Sequence, residues 1–104
     1  MNTAIRMAGP VAGTGSEATL YTVPADTIAT VQSIRIVNTT GGQLTFRMSL
    51  GADAQDTRLF SDTPVPAHGV LKDAGFDLVM YDGETLCWTA AAGLTVIANG
   101  VETT

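Results

Sequence analysis

The chain is poor in cysteine, charge and aromatic residues. Its single cysteine, Cys87, excludes an intramolecular disulfide, so nothing indicates a domain stapled for an oxidising compartment. Residues 1–12 carry one charge and lack an apolar core of signal-peptide length. No run approaches the roughly 20 apolar residues that a membrane helix needs. We therefore expect a soluble protein that is synthesised in a cytoplasm.

Charged residues make up only 14% of the 104 residues, against about 25% in a typical soluble domain. The net charge is −5, and the five basic residues are dispersed along the sequence. They are Arg6, Arg35, Arg47, Arg58 and Lys72. They form no basic stripe that could follow the phosphates of a nucleic acid, so we expect no nucleic-acid partner. The acidity of the chain also disfavours binding to an anionic membrane. So few charges indicate either a neutral surface or one that a partner covers.

Apolar and polar residues alternate without interruption over the segment Leu44–Leu50. Successive side chains of a strand point to opposite faces, so this strand buries one face and exposes the other. Short runs of the same kind recur at a spacing of about 8–12 residues, between Gly, Pro and Asp. The pattern predicts an all-β, single-domain antiparallel β-sandwich over residues 1–104, jelly-roll or Ig-like, with seven or eight short strands.

Particular segments give more detailed expectations. Residues 1–18 read as an extended N-terminal arm with a short strand over residues 4–8 that ends at Gly9-Pro10. Residues 51–69 read as a long irregular loop with brief pairing near Phe60, and residues 101–104 as a loose tail. The apolar parity changes in the strand over residues 27–38, which predicts a β-bulge near Gln32-Ser33.

Turn chemistry predicts two further features. Residues 39–42, with Gly41-Gly42, are expected to close a hairpin into the strand that begins at Leu44. Residues 70–71 and 76–80 follow as strands, and Asp82-Gly83 is a strong turn signal before a strand over residues 85–90.

No catalytic or metal-binding constellation is visible. His68, the only histidine, lies between Pro and Gly residues and is expected in an exposed turn. Cys87 is expected to be a small packing residue. The Gly-rich residues 9–15 lack a phosphate-loop ending. The spacing of the acidic residues does not match an EF-hand, which leaves a structural cation in the 51–56 loop as a minor alternative. We expect no enzyme activity and no cofactor.

The aromatic residues separate into core and rim candidates. Trp88, with Leu86 and Ala90 on the same strand face, is expected in the core, as is Phe46. Tyr21 and Tyr81 stand at strand ends, where an amphipathic ring suits an interface. The alternative is that both tyrosines only rim the core.

From Leu20 onward, over about 80 residues, the chain resembles small accessory structural proteins of tailed bacteriophages. The resemblance lies in residues 20–25 (LYTVPA), 31–40 (VQSIRIVNTT) and 82–86 (DGETL). These motifs are turn and strand chemistry, and they supply no functional residues to transfer. Such proteins sit on virions as capsid decoration proteins or as tail and fibre-base components.

The resemblance does not distinguish these roles, and the nearly neutral surface, the arm and the long loop favour capsid decoration. We therefore expect a virion protein on the outer capsid surface that bridges capsid subunits and stabilises the shell. Its partner would then be the major capsid protein, and a homo-oligomer such as a trimer is expected. The N-terminal arm would reach a neighbour. The candidate interface residues are Ile5, Arg6, Met7, Tyr21, Phe60 and Tyr81. A low-copy tail, collar or fibre-attachment protein is the alternative, and a carbohydrate-binding adhesion module is the second alternative.

Overall fold

Two antiparallel sheets pack face to face in the computed structural model of the chain, which describes residues 2–52, 54, 56–73 and 78–104. Nine strands are present in this described part. They are β1 (Asn2–Ala12), β2 (Glu17–Thr22), β3 (Ile28–Asn38), β4 (Leu44–Leu50), β5 (Arg58–Val65), β6 (Val70–Asp73), β7 (Leu78–Met80), β8 (Thr85–Ala90) and β9 (Leu94–Thr103).

The strand order identifies the connectivity as a jelly roll. Sheet A has the order β1-β9-β3-β6, and β7 also pairs with β3; sheet B has the order β2-β8-β4-β5. Strands β6 and β7 pair with different halves of β3, so together they occupy one position. The pairs β1–β9, β2–β8, β3–β6/β7 and β4–β5 are then those of two Greek keys wound into a jelly roll. The predicted antiparallel β-sandwich is confirmed, and the split between β6 and β7 explains the ninth strand.

The core lies between the two sheets and consists of inward-facing side chains from both. Trp88, Leu86 and Ala90 of β8 and Phe46 of β4 are all buried there, as their alternation predicted. Sheet A faces them with apolar residues, namely Ala29, Val31, Ile34, Ile36, Met80, Leu94, Val96 and Ala98. Removing these side chains from water is the main stabilising contribution to the fold.

Strand β3 confirms the predicted bulge. Val31 is opposite Gly100 and Ser33 is opposite Asn99, so Gln32 is the extra residue that shifts the parity. The hairpin expected between β3 and β4 is wrong, because the two strands lie in different sheets. Residues 39–43 instead carry the chain across the sandwich. This crossing lets the apolar faces of both strands meet the same core.

The predicted free arm is also wrong. Residues 2–12 form β1, which pairs antiparallel with β9 and buries Met7 and Ala8. Gly9-Pro10 does not end the strand, since β1 is an edge strand and an edge tolerates the missing N–H of proline. Because β9 continues to Thr103, residues 101–103 are paired rather than loose.

The predicted long loop over residues 51–69 contains strand β5, which pairs with β4 at the edge of sheet B. Its prolines did not prevent this, because Pro64 lies on an edge. Two other expectations fall partly outside the described residues. These are the start of the 76–80 strand, at Phe76 and Asp77, and the 51–56 cation loop, at Asp53 and Gln55.

Candidate interaction surface on sheet A

The large exposed apolar side chains of the described residues gather on one side of the molecule. They are Ile28 (44% exposed), Val70 (48%), Val79 (45%) and Tyr81 (59%). Ile28 alternates with buried Ala29, while Val70 pairs with Val37 and Val79 with Thr30. Ile28, Val70 and Val79 therefore lie on the solvent-facing side of sheet A, which we call the outer face of sheet A. Tyr81 directly follows β7, and we include it in this face.

Three basic residues on three strands line one pocket on this outer face. Arg6 of β1, Arg35 of β3 and Lys72 of β6 line a shallow pocket of about 350 Å³ together with Ser33, Ile97 and Asn99. We call this the basic pocket. The residues were expected to be dispersed, and in sequence they are. The sheet brings them together because each occupies an outward position on a different strand.

The cations of the basic pocket have no anionic partner within the described part of the chain. Arg35 is directly opposite Lys72, and Arg6 is directly opposite Asn99. Arg6, Arg35 and Lys72 are all exposed, and none makes an ion pair with another described residue. Like charges directly opposite each other in a sheet are destabilising. The pocket is thus a concentrated positive site on an acidic protein.

Sheet B differs in its charge pairing. Arg47 on β4 and Asp62 on β5 form an ion pair, with 2.7 Å between Nε and Oδ1. They line a second, shallower pocket of about 260 Å³ beside Thr45 and Thr89. Because the Asp62 carboxylate already pairs with Arg47, the charge of this pocket does not indicate an anion-binding site.

A group of carboxylates lies at one end of the sandwich, in the turns that precede β3 and β8. We call Asp26, Asp82 and Glu84 the acidic end. Asp82 Oδ2 accepts a hydrogen bond from the Asp26 backbone N–H (2.9 Å), and Glu84 Oε1 accepts one from the Tyr81 N–H (2.6 Å). Gly83 has φ 80°, which fits the turn that its sequence predicted. None of these carboxylates is in an ion pair with another described residue.

Tyr21 joins the two sheets. Its hydroxyl donates a hydrogen bond to Glu102 Oε2, which connects β2 of sheet B to β9 of sheet A. Burial, and after it the hydrogen bond and the negative charge of Glu102, raise the pKa of Tyr21 well above its usual value. This half-buried ring therefore has a role inside the sandwich.

We expect Tyr21→Phe to lower the free energy of unfolding by about 1–2 kcal/mol, because it removes the inter-sheet hydrogen bond and keeps the ring. Neutral Tyr21 is favoured in the folded state, so its contribution is complete below pH about 10 and is lost as the unfolded chain ionises above it. Denaturant unfolding of both proteins at pH 7 and at pH about 10.5 measures this. An equal loss of stability with pH in the two proteins would contradict it.

The structure divides the six predicted interface residues. Arg6 and Tyr81 belong to the outer face of sheet A. Met7 is buried in the core, and Ile5 packs against it half-buried, because both belong to the side of β1 that faces the sandwich interior. Because it is buried, Met7 does not belong to the candidate interface.

The remaining two candidates, Tyr21 and Phe60, belong to sheet B. Phe60 is half-buried against Phe46, with 5.3 Å between the ring centres. Sequence reasoning missed the other members of the outer face of sheet A, namely Ile28, Arg35, Val70, Lys72 and Val79. Alternation along β3 could have placed Arg35 outward, but nothing local shows which strand lies beside it.

The residues that could have contributed to a catalytic or metal site do not lie together. His68 is exposed in a turn with φ 52°, and Cys87 is a buried thiol on β8 near the hydroxyls of Thr19 and Thr85. Across the residues that the structure describes, no group of three or more His, Cys, Asp or Glu side chains is placed to hold a metal ion. Those residues also include no helix that is long and apolar enough to cross a membrane.

Comparison with known proteins gives a fold relationship. No protein-family model and no curated protein matches the chain. A chain from the disulfide-linked pili of Bacillus endospore appendages is similar over all of this chain and 85% of its own length, with 14% identity and a TM-score of 0.48. A chain of the infectious bursal disease virus Gx strain structure is similar over 98% of this chain and 31% of its own length, with 13% identity and a TM-score of 0.50. At this identity the likeness concerns the fold alone.

Proposed function

We propose that this protein is a virion structural protein, and specifically a capsid decoration protein on the outer capsid surface. The observation that carries the proposal is the outer face of sheet A, where the large exposed apolar side chains and the unpaired cations of the described chain meet. A sheet face that exposes several large apolar side chains is a candidate for a protein–protein contact. The viral fold relative is compatible with such a role, since jelly rolls recur in capsid proteins.

The mechanism would be stabilisation through binding. A protein that binds the assembled shell more tightly than free capsid subunits shifts the equilibrium toward the shell. This needs surface complementarity and many copies, and it needs no catalytic group. The major capsid protein is the proposed partner of the decorating protein.

The copy number of this chain in purified particles tests the proposal, measured by quantitative mass spectrometry against the major capsid protein. We expect a ratio near one to one, or a simple fraction that shell symmetry fixes. A few to a few dozen copies per particle would transfer the proposal to the tail, collar or fibre attachment. Absence from the particles would overturn a virion role.

Glycan binding has less structural support. Trp88, the largest aromatic residue, is buried between the sheets and offers no platform for a sugar ring. Tyr81 is the exposed aromatic candidate, and it stands beside the acidic end. A carbohydrate-binding module would become the better proposal if glycan-array binding were detected and then lost in Tyr81→Ala.

A further inference from the structure

The charge distribution indicates that the basic pocket is completed by another molecule. The pocket holds three of the five basic residues, and the rest of the chain has two basic residues against ten acidic ones. Glu102 of β9 is opposite the buried Ala29 and bonds to Tyr21 of sheet B, so its carboxylate does not belong to the outer face of sheet A. Arg35 and Lys72 are opposite each other and form no ion pair with a described carboxylate, and such a like-charge pair costs stability in the isolated subunit.

We propose that the basic pocket receives the acidic end of a second copy of this chain. The acidic end offers three carboxylates that form no ion pair with another described residue, so they equal the three cations of the pocket in number and are opposite in charge. Arginine binds carboxylates through paired N–H donors, so this contact would have directional hydrogen bonds as well as charge attraction. The inference rests on the proposed function in treating the outer face of sheet A as an assembly surface.

Tyr81 is the apolar anchor of the proposed contact. It is the most exposed large apolar residue of the described chain, and its backbone N–H is held by Glu84 within the acidic end. The pocket offers it the apolar side chain of Ile97 and two guanidinium groups. A tyrosine ring can interact with a guanidinium through its face, and tyrosine and arginine are enriched among the residues that dominate interface energies.

The contact is heterologous, with different surfaces of the two copies meeting. A two-fold dimer of basic pockets would place cations against cations, which electrostatic complementarity disfavours. When the basic pocket of each copy binds the acidic end of the next copy, the contact repeats head to tail. Such a contact gives a closed ring when the rotation closes, and otherwise an open filament. A ring agrees with the expected oligomer around a capsid symmetry axis.

The first experiment measures the mass of the purified full chain in solution by light scattering, at about 50 mM and about 500 mM NaCl. We expect oligomers well above the 10.8 kDa monomer at low salt, shifting toward the monomer at high salt. A wild-type protein that is monomeric at both salt concentrations across a wide protein range would overturn the inference. The pocket's partner would then be a different acidic protein, and the copy-number test of the proposed function would be unaffected.

Two variants then locate the contact. Arg35→Glu reverses one charge of the basic pocket. The double variant Asp26→Asn with Asp82→Asn removes two of the three charges of the acidic end and keeps side chains that suit those turns. We expect each variant to weaken self-association about tenfold or more. The matched controls are Arg58→Glu for the first and Glu17→Gln with Asp56→Asn for the second, and both should assemble like the wild type.

Mixing the two variants gives the sharpest outcome. Arg35→Glu keeps an intact acidic end, and the double variant keeps an intact basic pocket. One molecule of each can therefore form a single contact, and no further molecule can add to that pair. At a protein concentration where each variant alone is mainly monomeric, we expect the mixture to form a one-to-one heterodimer at low salt. Heterodimer formation also shows that both variants are folded. Loss of assembly in the controls, or a mixture that stays monomeric, would contradict the proposed pairing.

Discussion

Replacing Trp88 by alanine is expected to lower the free energy of unfolding by about 3–5 kcal/mol, the usual cost of removing a large buried aromatic side chain. Trp88 is 1% exposed and lies on the central strand β8, facing sheet A across the core. Its partners cannot collapse fully into the cavity, because both neighbouring strands hold β8 in register. A domain of this size has about 5–15 kcal/mol of stability in total, so the variant would be marginally folded.

Denaturant unfolding followed by circular dichroism measures the effect, since Trp88 is the only tryptophan and its removal abolishes the fluorescence signal. Thr89→Ala is the matched control on the same strand, because Thr89 points away from the core and is half-buried. We expect it to cost about 1 kcal/mol or less. A similar loss in both variants would mean that β8 does not bury its Trp88 face.

Sequence periodicity predicted the layers of the fold well. The alternation of β4 and β8 identified Phe46 and Trp88 as core residues, and the parity change in β3 identified the bulge at Gln32. These features are local, since two-residue periodicity depends only on which face of a strand meets the core. The class of the fold follows from such patterns.

Strand pairing was the part that the sequence could not supply. The Gly41-Gly42 turn suggested a hairpin, and yet β3 pairs with β9, whose paired residues lie 56 to 75 positions away. A jelly roll places most successive strands in opposite sheets, so local turn signals report a change of direction without reporting the partner. Edge strands added a second difficulty, because they tolerate Pro10 and Pro64, which otherwise read as strand ends.

The candidate surface was hidden for the same reason. Arg6, Arg35 and Lys72 are far apart in sequence, and only the order β1-β9-β3-β6 makes them neighbours. Low overall charge predicted either a neutral surface or one that a partner covers. Where that surface lies depends on sheet order and register, which a single sequence determines only through long-range pairing.

The second large effect is expected at Asn38, a buried polar residue at the end of β3. Its side chain is 1% exposed, and its Nδ2 donates to the carbonyls of Gly42 (2.8 Å) and Val65 (3.1 Å). Its Oδ1 accepts hydrogen bonds from the N–H and the hydroxyl of Thr40, at 2.9 and 2.7 Å. One side chain thus fixes the turn that carries the chain from sheet A to sheet B, and it ties this turn to strand β5.

We expect Asn38→Ala to lower the free energy of unfolding by about 2–4 kcal/mol, because it removes four hydrogen bonds, including the buried one to the Val65 carbonyl. Asn99→Ala is the matched control, since Asn99 is exposed and its amide makes only a long hydrogen bond to Ser33 (3.5 Å). It should cost less than about 0.5 kcal/mol. Amide hydrogen exchange adds a local readout: in Asn38→Ala, protection should fall first at Thr40 and His68, whose N–H groups bond within this turn. If the exchange of those two amides stayed at the wild-type rate, Asn38 would not be the residue that holds the crossing between the sheets.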